Sequence, residues 1–140
     1  MSPLLHQATC VAIDGRALLI EGPPGSGKSS LALALIDRGA VLIGDDGVSI
    51  EARSDRLFAS PPPRIAGLLE VRNLGLIPFP TSSDVPIALI LRLDPAAERF
   101  IEQPGHCVIH SAKLPLVSLW PDAPALPIKA ELALMTYGLP

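Results

Sequence analysis

Basic residues, cysteines, aromatic residues and long apolar runs are all scarce in this sequence of 140 residues. It has 11 Lys and Arg against 14 Asp and Glu and a net charge of −3, which argues against the clustered basic surface that nucleic-acid binding needs. No apolar run reaches the roughly 18 residues of a membrane span. The first ten residues, MSPLLHQATC, lack the basic start and long apolar stretch of a signal peptide. We therefore expect a cytoplasmic protein with neither nucleic acid nor membrane as a partner.

The two cysteines, Cys10 and Cys107, are too few for a disulfide framework, and we expect both to be reduced. Only one Trp, one Tyr and three Phe are present, so no adenine-stacking side chain stands out. Apolar residues nevertheless make up 49% of the chain and charged residues 18%, a balance that is typical of a globular protein. The length predicts one domain, residues 1–140, with a single core.

The apolar pattern predicts short strands and few helices, with 16 prolines marking ordered turns. Asp14-Gly15 is a hairpin signal between two apolar runs, and Gly39 is placed to end a helix rich in Ala and Leu. Residues 64–77 have too many glycines for a confident helix and stay unassigned. The predicted strands are 8–13, 17–20, 40–44, 48–52, 57–59, 85–93, 107–110 and 116–119. The predicted helical segments are 30–38, one or two turns in 95–102, and 128–137.

The strongest motif is GPPGSGKS, which matches G-x-x-x-x-G-K-S/T between a predicted strand and a predicted helix. Its glycines let backbone N–H groups turn inward around a phosphate, its lysine neutralises phosphate oxygens, and its final serine ligates Mg²⁺. The start of the following helix adds a positive end. The motif therefore predicts a nucleoside triphosphate site, whereas the alternative is a flexible turn. The predicted nucleotide-binding residues are Gly22, Pro23, Pro24, Gly25, Ser26, Gly27, Lys28, Ser29 and Ser30.

Other P-loop classes fit the sequence less well. The single asparagine, Asn73, cannot supply the Asn-Lys-x-Asp loop of a GTPase, and no cluster of arginines forms the lid of an adenylate-type kinase. Motor and AAA-type ATPases are normally much longer. The remaining class is a small kinase whose acceptor is not a nucleotide.

Two adjacent acids, Asp45 and Asp46, end the predicted strand in VLIGDDG. A solvated turn is the simplest explanation for them. If this strand runs beside the P-loop strand, however, its end lies at the rim that holds the phosphates. One acid would then accept a hydroxyl proton, and its neighbour would support Mg²⁺ or the first acid. The run LILRLD, which ends at Asp94, is a rival, and position alone does not choose between them.

Four stretches together resemble a known family: LHQATCVAIDGRALLIEG, GPPGSGKSSLALALIDRGA, VLIGDDGVSI and RIAGLLEVRNLGLI. They are similar to the catalytic domain of HPr kinase/phosphorylase, in particular to the short alphaproteobacterial form. The resemblance covers residues 5–77. It implies an α/β P-loop domain with a mainly β core and few helices, like phosphoenolpyruvate carboxykinase. It also implies ATP- and Mg²⁺-dependent phosphorylation of a serine on HPr or an HPr-like phosphocarrier of the phosphotransferase system, phosphorolysis of the phosphoserine, and a homo-oligomer, commonly a hexamer.

The resemblance also implies roles for individual residues. Lys28 becomes the phosphate-binding lysine, and Ser29 and Glu70 become Mg²⁺ ligands. Asp46 becomes the base that takes the serine proton, and the acid in phosphorolysis, with Asp45 in support.

Three further residues match the family's pattern: His6 its active-site histidine, Arg72 its signature loop, and Arg99 a further active-site arginine. Without the resemblance, His6 reads as a surface residue. Two other histidines, His106 and His110, have the spacing of helical metal ligands, but the intervening residues read as a strand.

The chain departs from the family's pattern at several positions. The family usually has Ser at Pro24, an acidic residue at Ser30 and Gly at Asn73, and Gln7 is an additional residue. The basic C-terminal loop of the long forms has no clear counterpart. A kinase for a small metabolite and a non-catalytic nucleotide sensor therefore remain as alternatives.

Overall fold

The computed structural model describes residues 3–140. It contains eleven strands and two helices in this part of the chain, so the expected mainly β architecture is confirmed. The helices are α1 (Lys28–Asp37) and α2 (Leu126–Tyr137). The strands are β1 (Leu4–His6), β2 (Thr9–Ile13), β3 (Arg16–Glu21), β4 (Val41–Gly44), β5 (Val48–Arg53), β6 (Arg56–Ser60), β7 (Leu68–Val71), β8 (Gly75–Pro78), β9 (Val85–Leu93), β10 (Gly105–Ile109) and β11 (Ala112–Leu119).

Nine strands form one sheet, and β7 and β8 form a separate hairpin. The main path of the large sheet is β1-β5-β6-β9-β3-β2-β4, with β11 also paired to β9 and β10 paired to β11. Strand β3 leads into the P-loop and is parallel to β9 but antiparallel to β2. The P-loop therefore follows a strand in the interior of the sheet.

The centre of the sheet is covered on both faces. Along β3, Leu18 and Ile20 pack into a core cluster that includes Leu31 and Leu35 of α1. The intervening Leu19 packs into a second cluster on the opposite face. Strands buried on both faces read as continuous apolar runs rather than alternating ones. This burial explains the unbroken ALLI and IALIL segments.

Strand β4 reaches the P-loop end of the sheet by an indirect route. It pairs with β2 in an antiparallel sense, and β2 pairs with β3 in the same sense. As a result β4 runs parallel to β3 with one strand between them. The acids that follow β4 therefore reach the same edge as the phosphate loop, although β4 is not the immediate neighbour of β3.

The unassigned residues 64–77 contribute the β7–β8 hairpin. Its turn places Asn73 at φ 75° and Gly75 at φ 110°. Asn and Gly adopt this left-handed region more readily than other residues. Asn73, the departure from the family's glycine, is therefore compatible with the backbone that this turn needs.

The predicted helical turns in residues 95–102 are wrong, because this part of the chain contains turns and bends but no helix. The Asp94 carboxylate accepts the N–H of Ala96 at 2.8 Å, and the Asp94 carbonyl accepts the N–H of Ala97 at 3.0 Å. Such a local side-chain bond favours a turn over a helix. The other predicted elements are confirmed, with ends that differ by no more than four residues.

Both cysteines are free, as expected, and burial raises the pKa of Cys10 far above its ordinary value. Neither helix of the described residues is long and apolar enough to span a bilayer.

Candidate active site

The P-loop connects the end of β3 to the first residue of α1. Gly25 and Gly27 have φ values of 80° and 98°, and a Cβ at either position would meet nothing within 4 Å. These glycines are therefore required by the backbone conformation and not by lack of space. The Lys28 ammonium donates to the carbonyl oxygens of Gly22 at 2.8 Å and Pro23 at 3.3 Å, so it lies against the loop.

A cavity of about 1100 Å³ opens around this loop. Most P-loop residues line it, and so do side chains from five other segments of the chain. The loop residues on its wall include Lys28, Ser29 and Ser30, and the predicted site residues from outside the loop are His6, Asp46, Glu70 and Arg72. The sheet and the β7–β8 hairpin thus bring together predicted site residues as distant in sequence as His6 and Arg72, which are 66 positions apart.

Asp45 is held by three donors from three different segments. One carboxylate oxygen accepts the Ser29 hydroxyl at 2.7 Å and the Thr9 hydroxyl at 3.1 Å. The other oxygen accepts the backbone N–H of Glu70 at 2.9 Å. In P-loop enzymes the metal is held by the loop Ser or Thr together with an Asp at a strand end. Asp45 occupies that position relative to Ser29.

Asp46 is exposed and lines the cavity, in contrast to Asp45. Its φ of 61° lies in the left-handed region. The turn is so tight that a Cβ on Gly44 would lie 2.1 Å from the carbonyl oxygen of Gly47. This turn places the two adjacent carboxylates in different surroundings: Asp45 is half-buried and hydrogen-bonded, and Asp46 faces the cavity.

A second polar network at the cavity was not predicted from the sequence. Glu21 lies 2.9 Å from the His6 imidazole and 3.2 Å from the Arg92 guanidinium. The hydrogen bond from His6 and the pairing with Arg92 lower the pKa of Glu21, although partial burial opposes them. Glu21 and Arg92 are register partners in the parallel β3–β9 pair. No local motif signals that pairing, since the two residues are 71 positions apart.

Replacing Glu21 by Gln is expected to reduce stability in a pH-dependent way. The pKa of Glu21 is lowered from 4.5 in the folded protein, so its ionised form stabilises the fold above that pH. This contribution is lost as the pH falls through the lowered folded pKa. The difference in free energy of unfolding between wild type and Glu21→Gln should therefore shrink in acid.

Denaturant unfolding at a series of pH values measures this difference, with exposed Glu102→Gln as the matched control. A wild-type advantage over Glu21→Gln that stays constant or grows below pH 4.5 would contradict the assignment.

Arg99 does not reach this cavity. It lies exposed in the irregular segment between β9 and β10, whereas Arg92, near the end of β9, lines the cavity. The role implied for Arg99 therefore has no counterpart within this chain's cavity.

The rival acid, Asp94, also lines the cavity, but one of its oxygens accepts the Ala96 N–H within its own turn. Among residues 3–140, no group of three or more His, Cys, Asp or Glu side chains is arranged to hold a metal. His106 lies on β10 and His110 in the following turn, so their spacing is not that of a helix face.

The family model described as "HPr Serine kinase C-terminal domain" matches residues 3–82 of this chain. The chain belongs to this family. The matched range contains the P-loop, both adjacent acids and the β7–β8 hairpin.

Curated relatives match about half of the chain. The HPr kinase/phosphorylase of Clostridium tetani is 45% identical over 71 residues, which is 51% of this chain and 23% of that protein. The HPr kinase/phosphorylase of Mycoplasmopsis pulmonis is 44% identical over 69 residues, or 49% of this chain and 22% of that protein. The matched part thus spans less than a quarter of the length of these relatives.

A solved structure extends the likeness to nearly the whole fold. The Hpr(Ser) kinase/phosphatase from Coxiella burnetii has a TM-score of 0.83 and 25% sequence identity, and the match covers 94% of this chain and 88% of that one. The resemblance inferred from the four sequence stretches and the mainly β fold class are both confirmed.

Proposed function

We propose that this chain is a phosphotransferase that moves the γ-phosphoryl group of ATP to a serine hydroxyl of HPr or an HPr-like phosphocarrier. The proposal rests on the different surroundings of the two adjacent acids. The Asp45 carboxylate accepts a hydrogen bond from the Ser29 hydroxyl, whereas Asp46 lines the same cavity as Lys28. The names of the family and of its curated members support the acceptor class.

The loop suits the phosphates of ATP. Its left-handed glycines allow the backbone N–H groups to face a bound anion, and the N-terminus of α1 begins at Lys28. The Lys28 ammonium has three N–H donors and lies on the loop, so it can exchange its bonds to loop carbonyls for bonds to phosphate oxygens.

The donor set also suits Mg²⁺. Ser29 and Glu70 line the cavity, and Asp45 adds a carboxylate bonded to Ser29. Hard oxygen ligands of this kind, few in number and completed by substrate phosphates, are what protein-bound Mg²⁺ prefers. When bound, Mg²⁺ neutralises charge on the phosphoryl oxygens. Ser29, Glu70 and Asp45 are the residues proposed to hold it.

In the proposed reaction, the Asp46 carboxylate accepts the proton of the serine hydroxyl. The serine oxygen forms a bond to the γ-phosphorus while the bond from that phosphorus to the bridging oxygen of ADP breaks. Lys28 stabilises the negative charge during the transfer. In phosphorolysis, protonated Asp46 returns a proton to the serine oxygen as inorganic phosphate attacks the phosphorus, which produces pyrophosphate.

Mass spectrometry of an HPr-like carrier incubated with the chain, ATP and Mg²⁺ tests the proposal. We expect the carrier to gain one phosphoryl group, and we expect no gain when the target serine is replaced by alanine. A chain that binds ATP but leaves the carrier unmodified would contradict this acceptor. ATP turnover with a small-molecule acceptor would then indicate a metabolite kinase, and binding without any turnover would indicate a sensor.

The proposal includes action in the cytoplasm and assembly into a homo-oligomer, with a hexamer as the family resemblance implies. Sedimentation of the purified chain measures the assembly, and a monomer at the concentration of the activity assay would contradict it.

A further inference from the structure

Thr9 is a polar residue in an apolar position. It begins β2, pairs with Ile20 of β3, and has no exposed surface. Within residues 3–140 it is the one polar or charged residue in the fully buried class. A buried hydroxyl destabilises a protein unless hydrogen bonds compensate for its lost hydration. Valine has nearly the same shape and is favoured in strands, so packing alone does not explain a threonine here.

The Thr9 hydroxyl forms hydrogen bonds with both acids that follow β4. It donates to a carboxylate oxygen of Asp45 at 3.1 Å and accepts the backbone N–H of Asp46 at 3.4 Å. A hydroxyl has one donor and two acceptor sites, so a single side chain can make both bonds. These bonds link the β2–β3 hairpin to Asp45 and Asp46, which lie 36 and 37 positions after Thr9 in the chain.

The two bonds have different consequences. With Thr9, three donors occupy the Asp45 carboxylate, which has about four acceptor sites, so the orientation of Asp45 is fixed while one site is left for a metal. The bond to the Asp46 N–H holds the peptide that carries Asp46 in its left-handed conformation. The Asp46 side chain has no part in these bonds and remains directed to the cavity.

We propose that Thr9 is a positioning residue for phosphoryl transfer: its hydroxyl fixes the orientation of Asp45 toward Ser29 and of Asp46 toward the acceptor. This inference rests on the proposed function, because it assigns a role within that site. Thr9 does not line the cavity and acts only through the two acids.

Thr9→Val, which keeps the shape and removes the hydroxyl, is the central test. We expect kcat to fall about 10- to 100-fold, in the range found for residues that orient metal ligands. ADP affinity without Mg²⁺ should be unchanged, whereas the gain in ADP affinity on adding Mg²⁺ should fall about 10-fold. Thr9→Ser should retain most of the wild-type kcat. Thr136→Val, on the exposed face of α2, is the matched control and should change neither quantity.

Unchanged kcat and Mg²⁺ dependence in Thr9→Val would overturn the inference, and so would equal losses in the Val and Ser variants, which would indicate a packing role. If Thr9→Val does not fold, Thr9→Ala is compared with Thr9→Ser instead. Equal kcat values in those two variants would overturn the inference. The Mg²⁺-dependent ADP affinity tests the role of Thr9 separately from the proposed phosphotransferase function. If the wild-type chain transfers no phosphoryl group to a carrier, the proposed function fails. The effect of Thr9→Val on Mg²⁺-dependent ADP binding still tests the role of Thr9.

Discussion

Asp46→Asn is expected to reduce phosphoryl-transfer turnover by about 10²- to 10⁴-fold, the range attributed to a positioned general base or acid. Asparagine keeps the size of the side chain and also tolerates the left-handed φ of 61° at this position. The substitution therefore removes the proton acceptor with little change in the turn. Nucleotide affinity should stay close to wild type, because Lys28 and the P-loop backbone are untouched.

Steady-state kinetics and ADP titration measure the two quantities separately. The control is Asp55→Asn, since Asp55 is an exposed acid in the β5–β6 turn. Turnover close to wild type in Asp46→Asn would show that another group takes the proton, and Asp94 is then the next acid on the cavity wall to test.

Gly44→Ala is expected to destabilise the fold and to disrupt the acidic turn. A Cβ at this position would lie 2.1 Å from the Gly47 carbonyl oxygen and 3.3 Å from Pro62 Cδ. Because the nearest atom belongs to the backbone, the turn must move to make room. Overpacking typically lowers the free energy of unfolding by about 1–3 kcal/mol, and we expect a loss near the upper end. The displaced turn should also lower turnover, because Asp45 and Asp46 directly follow Gly44.

Denaturant unfolding and kinetics of the same preparation check this prediction. Gly105→Ala, on β10, is the matched control, because its Cβ would make only an ordinary contact, 3.6 Å from the Leu116 carbonyl oxygen. A Gly44→Ala protein as stable and active as Gly105→Ala would mean that the turn is not as tight as described.

Much of the local structure followed from residue types. Asp14-Gly15 turned the first hairpin, and Gly39, with φ 112°, ended α1 as expected. The run VPIALILRL predicted β9 to the residue, because a strand buried on both faces is continuous in its apolar pattern. The prediction of helical turns in residues 95–102 was wrong. The hydrogen bond from the Ala96 N–H to the Asp94 carboxylate favours a turn and outweighs the weak helix propensity of this segment.

The local sequence does not distinguish the roles of the two acids. Adjacent in sequence, Asp45 and Asp46 are equivalent in any local pattern, and Asp46 was preferred only through the family resemblance. The contacts of Asp45 with Ser29, Thr9 and Glu70 now supply a physical reason for the same preference. The general base and the metal ligands nevertheless stay predictions that kinetics and binding must test.

The sequence by itself determined that the chain has a P-loop sequence motif, that a strand ends in two acids, and that few helices form. These features depend on backbone propensity and apolar periodicity, which act over a few residues. The tertiary structure decided that Asp45 contacts Ser29, that Glu21 joins His6 to Arg92, and that Arg99 lies away from the cavity. Such contacts depend on strand order and register across up to 71 positions, and packing of the whole sheet determines them.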